Sequence, residues 1–173
     1  MTGFGSVFVD GVELEDAKAV TRVENADGSY SLTSTQLGQR VRVAHDATGT
    51  ASSVTVDAAV IGTVASGSVD ATALTFTVAG QSVKANSDST SDPLTVYGGG
   101  YTAFSDIAAG DLVEIHGSAV YDSTAKVYVV QATRIEKQSA ISAVRVMGKV
   151  ASLNTTAKTF SLRGLTDRKS TRL

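Results

Sequence analysis

The chain has 173 residues, of which 42% are hydrophobic and 18% are charged, and a formal net charge of −2. This length supports one core of ordinary size or two small ones. The absence of cysteine excludes disulfides and thiolate metal sites, and no apolar run is long enough to span a membrane. Val and Ala supply most of the apolar side chains, and together with 16 glycines they favour short strands and tight turns over helices.

The first predicted element is a β-hairpin. Its strands occupy residues 7–9 and 12–14 and flank the dipeptide Asp10-Gly11, in which glycine meets the positive φ that a two-residue turn requires. A second turn of this kind is predicted at Asp27-Gly28. Both turns indicate antiparallel strand pairs near the start of the chain.

Carboxylates gather around the first hairpin, at Asp10, Glu13, Glu15 and Asp16. Such a group is able to bind calcium or to act in acid–base chemistry, but charged residues are also expected beside a hairpin turn. We interpret them as a solvated face. The run N-A-D-G at residues 25–28 copies part of a calcium loop without its remaining ligands or its distal Glu, so we interpret it as a β-turn.

Five strands are predicted in the middle of the chain, at residues 60–66, 74–78, 82–85, 112–120 and 127–136. Alternation places Val113 with Ile115 on one face, and Val127 with Val129. The predicted buried face consists of Val64, Phe76, Val78, Val113, Ile115, Val129 and Ile135.

A long loop, residues 86–111, separates the third of these strands from the fourth. It contains the polar run SDSTSD, the glycine triplet at residues 98–100 and a helical turn near residues 104–109. The triplet lacks the Lys and the Ser or Thr of a phosphate loop. We interpret Tyr97, Tyr101 and Phe104 as anchors of this loop, and SDSTSD as an ordinary polar loop rather than a cation or glycosylation site.

Partial internal repeats divide the chain. The segment GTVASGSVDATALTFTV from Gly62 returns as GKVASLNTTAKTFSL from Gly148, and LGQRVRV at residues 37–43 resembles AGDLVEI at residues 109–115. The strands ASSVTV from Ala51 and ATRIEK from Ala132 also align. Self-similarity in a fixed order indicates tandem modules. We predict a first unit at residues 3–58, a second at residues 59–137 and the start of a truncated third at residues 145–165.

Five strands closing around one thin core, with a capping turn between the third and the fourth, favour a small OB-like β-barrel in each unit; a β-sandwich is the alternative. Residues 167–173 read DRKSTRL and depart from the repeat. Because the start of a common sequencing adapter translates into these residues, we interpret them as a non-native tail, the alternative being a natural basic tail. The tail carries a net charge of +2, so the rest of the chain carries −4.

The succession of these segments, from GFGSVFVDGVELE through AFSDIAAGDLVEIHGSA to VMGKVASLNTTAKTFSL, resembles the bacterial family known as domain of unknown function 5666. The resemblance covers residues 3–165 and implies tandem OB-like barrels in an exported protein, extracytoplasmic or secreted. It supplies no catalytic residues. The resemblance implies a leader, and the first residues, MTGFGSVFVDG, show neither the basic nor the apolar region expected of one.

The two histidines, His45 and His116, lie at different offsets from Gly38 and Gly110, so we interpret both as ordinary strand-end residues rather than paired metal ligands. No metal, cofactor or catalytic site is predicted, and we expect no enzymatic activity. Three classes of function remain: a structural or binding module with a protein or glycan partner, an OB-fold-type binder of oligonucleotides or oligosaccharides, and an enzyme. The first is favoured, and the negative charge and few aromatics argue against nucleic acid.

Overall fold

A computed structural model of the protein describes residues 6–9, 11–25, 29–162 and 165–168, and within these the chain is all-β, as the sequence predicts. Its elements are β1 (Ser6–Val9), β2 (Val12–Glu15), β3 (Val20–Glu24), β4 (Tyr30–Leu32), β5 (Val41–His45), β6 (Ala51–Val56), β7 (Val60–Thr63), β8 (Thr75–Val78), β9 (Gln81–Lys84), β10 (Val96–Gly98), a 3-10 turn (Phe104–Asp106), β11 (Leu112–Asp122), β12 (Val127–Lys137), β13 (Arg145–Val146), β14 (Val150–Asn154), β15 (Thr159–Leu162) and β16 (Leu165–Arg168). Among the described residues, no helix is both long and apolar enough to cross a membrane.

The largest sheet has seven strands in the order β13-β7-β11-β12-β9-β8, with β10 paired to β12. The pairs β9 with β12 and β10 with β12 are parallel, and the remaining pairs are antiparallel. All five strands predicted for the middle of the chain are present. Two members were not predicted there: the short strand β10 arises within the predicted loop, and β13 lies at the edge beside β7.

The residues of the predicted buried set are all buried, and all except Val129 belong to the core of this sheet. All seven residues predicted to be buried are at most 7% exposed, and Phe76 is 1% exposed. The aromatic residues of the long loop close one end of the core, where Phe104 meets Phe76 edge to face with ring centroids 6.0 Å apart. Burial of β-branched and aromatic side chains therefore stabilises this part of the chain.

The predicted alternation along β12 is wrong at one end. Val127 is exposed, and Val129 is buried outside the central core cluster, which instead contains Val130 and Ile135. The reason is a β-bulge: β12 carries one extra residue, Thr133, relative to its partner β11. An extra residue reverses the alternation, so the core face uses even-numbered positions before Thr133 and odd-numbered positions after it.

A four-stranded sheet, in the order β4-β3-β6-β5, occupies the first part of the chain. Here β3 runs parallel to β6, and β5 pairs antiparallel with β6, as β9, β12 and β11 do in the larger sheet. Ser52 is the extra residue of β6, and it directly follows Ala51 just as Thr133 follows Ala132. The aligned segments ASSVTV and ATRIEK thus carry the same irregularity at the same position.

Two smaller sheets complete the described chain. Strands β1 and β2 form the predicted hairpin, with Val9 paired to Val12; Asp10 lies outside the described residues. Strands β14, β15 and β16 form a three-stranded sheet that begins within the predicted third unit and extends to Arg168, so the first two residues of the predicted tail pair with β15. The predicted turn at Asp27-Gly28 also lies outside the described residues, although β3 and β4 on either side of it are paired antiparallel.

None of the four sheets is closed into a barrel by its strand pairing among the described residues. The nearest approach is between the edge strand β8 and the end of β7, whose earlier residues pair with β13. An isolated bridge joins Val64, just after β7, to Val78 of β8, and the Ala65 backbone N–H donates to the Thr77 carbonyl at 2.8 Å. This places β7 and β8 side by side without a continuous ladder.

Candidate functional site

The two histidines differ in position. His45 is the last residue of β5 and is exposed, with Nδ1 2.8 Å from the Asp46 carbonyl oxygen, so the strand-end interpretation is confirmed for it. The same interpretation is wrong for His116, which lies inside β11 and is fully buried. β11 continues beyond His116 to Asp122, and the first part of the chain contacts the neighbouring residues of β12.

The other predicted positions have ordinary surroundings. Glu13 and Glu15 are exposed on β2. The Asn25 amide donates to the hydroxyls of Ser29 and Ser31. In the polar loop, the Asp88 carboxylate accepts hydrogen bonds from Thr90, which lower its pKa.

The loop aromatics anchor the loop, as predicted. Tyr101 and Phe104 are buried, and Tyr97 packs against the core. The Tyr101 hydroxyl donates to Asp111 Oδ2, while Lys137 Nζ lies 2.7 Å from Asp111 Oδ1. Hydrogen bonds from Lys137 and Tyr101 lower the pKa of Asp111, and burial raises that of Tyr101. None of these rings is free to stack on a ligand.

The structure reveals a polar cluster on the outer face of the β11–β12 pair, made of Glu114, His116, Arg134 and Glu136. In the strand register Glu114 lies directly opposite Glu136, and His116 lies opposite Arg134. Residues two apart on a strand share a face, so all four side chains belong to the same side, away from the core.

Arg134 connects this polar cluster to the first part of the chain. Its Nη1 donates to the Leu37 carbonyl at 3.0 Å, and its Nη2 donates to the Gln36 side-chain oxygen. Next to it, Thr133 Oγ1 donates to the Gly38 carbonyl at 2.6 Å. The loop that precedes β5 therefore lies beside the polar cluster.

Within the polar cluster, His116 Nε2 lies 3.1 Å from Glu114 Oε1. The approach lacks hydrogen-bond geometry, and neither ring nitrogen has a hydrogen-bond partner among the described residues. Arg134 Nε donates to Glu136 Oε1 at 2.8 Å. One ligand atom each from Glu114, His116 and Glu136 fall within 4.8 Å of one another. These three residues are able to hold a metal ion.

The sequence contains a signal for this site, which a comparison of His116 with His45 alone does not detect. Glu114 and His116 are spaced by two residues on one predicted strand, and Arg134 and Glu136 are spaced by two on its predicted neighbour. Comparing His116 with Glu114, instead of with His45, identifies the shared face.

A second surface feature is the hairpin arm, residues 120–128, where β11 and β12 extend beyond the core. Tyr121 and Tyr128 are directly opposed across the strands, with ring centroids 5.2 Å apart and planes inclined at 60°. On the other face, Val120 and Val127 are about half exposed. Tyr128 is 66% exposed. Apolar side chains are thus presented to solvent on both faces of the arm.

No protein-family model, curated protein or solved structure matches this chain. The resemblance to the domain of unknown function 5666 family consequently stays a prediction.

Proposed function

We propose that this protein is an extracytoplasmic, non-catalytic β-module that binds a protein or glycan partner through the hairpin arm. The observation that carries the proposal is the exposure of Tyr121, Tyr128, Val120 and Val127 at the end of one hairpin. The directly opposed rings of Tyr121 and Tyr128 form one contiguous exposed patch, and such patches mark interaction sites more often than isolated apolar side chains do. Tyrosine suits such a site because its ring is rigid and apolar and its hydroxyl remains available for hydrogen bonds.

Tandem OB-like barrels are part of the same proposal. The strand order β7-β8-β9-β12-β11, with β9 parallel to β12 and β7 beside β11, supports a five-stranded barrel whose seam lies at the Val64–Val78 bridge. The matching bulges at Ser52 and Thr133 support descent of the two sheets from one repeated unit. The extracytoplasmic location rests on the family resemblance.

Single-strand oligonucleotide binding is the alternative for an OB-like module, and it is disfavoured. Such binding needs a positive groove and aromatic rings that stack on bases. The net charge is −2, and Tyr101 and Phe104 are buried in the core. Oligosaccharide binding fits better, since the tyrosine pair of the hairpin arm offers exposed ring surface without requiring positive charge.

The test is co-sedimentation of the protein with insoluble glycans: peptidoglycan sacculi, chitin and cellulose. We compare the native protein with the double variant Tyr121→Ser/Tyr128→Ser and with Tyr30→Ser, a control that alters an exposed tyrosine of β4. A glycan partner requires retention that is lost in the double variant and kept in the control. Equal retention of all three proteins contradicts a role for the hairpin arm in glycan binding.

A protein partner is tested by placing a photo-crosslinking residue at position 128 or, as a control, at position 30. Crosslinks to a specific envelope protein from position 128 alone support the proposal. The absence of position-specific crosslinks together with the absence of glycan retention refutes it. Fluorescence anisotropy with a labelled oligothymidine should show no binding at physiological salt; salt-sensitive binding favours the nucleic-acid alternative.

A further inference from the structure

We propose that Glu114, His116 and Glu136 bind one divalent transition-metal ion of the Zn²⁺ class. The proposal is independent of the hairpin arm, which belongs to the other end of the same strands. It begins from His116, whose side chain is fully buried while neither ring nitrogen is hydrogen-bonded among the described residues. A buried polar group without a partner is costly, and folded proteins rarely retain one without a purpose. A metal ion gives the imidazole a partner.

The two carboxylates also require a positive charge between them. Glu114 and Glu136 are directly opposite on antiparallel strands, an arrangement in which like charges destabilise a sheet. Arg134 compensates one of them, and both of its hydrogen bonds to Glu136 go to Oε1. No hydrogen bond from the described part of the chain goes to Oε2 of Glu136, which can therefore serve as a ligand. With two carboxylates and one guanidinium, and with histidine counted as neutral, the polar cluster has a formal charge of −1 that a cation offsets.

The geometry is close to that of a metal site. The 3.1 Å between His116 Nε2 and Glu114 Oε1 suits two ligands of one ion. Two atoms bonded to one Zn²⁺ at about 2.1 Å are separated by about 3.4 Å in a tetrahedral site. The three ligand atoms fall within 4.8 Å of one another, so a closing movement of at most roughly 1.4 Å brings the widest pair to that separation. Rotation of a glutamate side chain achieves this.

The first unit provides an internal comparison. By the shared register and bulge, Arg42 and Thr55 of the β5–β6 pair correspond to Glu114 and Glu136, and Ala44 corresponds to His116. Arg42 pairs with Thr55 in the sheet, as Glu114 pairs with Glu136. The same strand pair and bulge therefore form without the ligand residues. The strand arrangement alone does not explain why Glu114, His116 and Glu136 are present in the second unit.

The donor set selects the class of ion. One imidazole nitrogen with two carboxylate oxygens suits Zn²⁺ and neighbouring transition metals, whereas Mg²⁺ and Ca²⁺ prefer an all-oxygen set. Three protein ligands leave a fourth position for water in a tetrahedral site. Glu114 also borders a pocket of about 170 Å³, lined by Val23, Ile61 and Gln138 among others.

The test measures Zn²⁺ binding to tag-free, chelator-treated protein by isothermal titration calorimetry. The thermal unfolding midpoint with and without Zn²⁺ is the second readout. The variants are Glu114→Gln and Glu136→Gln, which keep side-chain size. His45→Gln removes the exposed histidine and serves as the control. Circular dichroism establishes that each variant is folded. We expect one Zn²⁺ per chain with micromolar or tighter affinity, and a midpoint that rises with Zn²⁺ because the ion binds the folded state.

Glu114→Gln and Glu136→Gln should each weaken Zn²⁺ binding at least tenfold, whereas His45→Gln should leave it unchanged. Mg²⁺ should not compete at millimolar concentration. The proposal is overturned if the native protein binds no Zn²⁺, if binding persists in both glutamine variants, or if it is lost with His45.

Discussion

Replacing Phe76 by Ala tests whether the seven-stranded sheet is held together by the core described above. Phe76 is 1% exposed and contacts Phe104 edge to face, with ring centroids 6.0 Å apart. Truncating a fully buried Phe to Ala typically costs about 3–5 kcal/mol, because transfer free energy is lost and a cavity remains. Loss of the contact between the Phe76 and Phe104 rings places the expected cost in the upper part of this range, because aromatic pairs contribute roughly 0.5–1.5 kcal/mol beyond the burial of their surface area. We expect a loss of about 4 kcal/mol.

The assay is equilibrium unfolding in urea, followed by circular dichroism, with the slope against denaturant compared between proteins. Phe8→Ala is the matched control, because it removes the same atoms from a ring that is 67% exposed on β1. The control should change the free energy of unfolding by less than about 1 kcal/mol. A loss of less than that from Phe76→Ala, or equal losses from the two variants, refutes the assignment of the core face.

Three further predictions concern the loop, acid stability and the chain beyond β12. Gly99→Ala should destabilise the fold more than Gly100→Ala: both have positive φ, but only at Gly99 does an added Cβ lie 2.0 Å from the Lys137 carbonyl oxygen. The pKa of Asp111 is lowered from 3.8, so its contribution is present above about pH 4 and is lost as the pH falls through the lower folded pKa. Asp111→Asn should therefore make the urea midpoint less sensitive to pH below 4. Deleting residues 143–173 should lower that midpoint more than deleting residues 148–173, since only the longer deletion removes β13 and the hydrogen bond from Arg145 to the Glu24 carbonyl.

Much of the fold is predictable from local pattern. Alternation identified the five middle strands, because a strand with one buried face repeats every two residues. The turn at Asp10-Gly11 set the first hairpin, whose strands pair Val9 with Val12. The burial of Phe76 and Ile135 also followed from sequence alone.

Other features depend on contacts between distant segments and have no local signal. β10 has only three residues, and its pairing with β12 is parallel and non-local. The bulge at Thr133 places Val129 on the face opposite to the one that alternation predicts. A single extra residue in a strand cannot be recognised from the residue types of that strand. The burial of His116 depends on the tertiary surroundings of the outer face of its sheet.

Comparison of the two aligned sheets separates the residues that the shared strand arrangement needs from the residues that differ between the two copies. Both sheets have a glycine shortly before the strand that pairs antiparallel with the bulged strand, Gly38 before β5 and Gly110 before β11. Both also have an extra residue directly after an alanine, Ala51 in β6 and Ala132 in β12. These features set the twist and register of a strand pair. They differ on the outer face, where Glu114 and Glu136 replace Arg42 and Thr55. Residues that serve only the shared strand arrangement should be similar in both copies. The outer face of the second copy is therefore where a function specific to this unit is to be sought, and the metal titration addresses it directly.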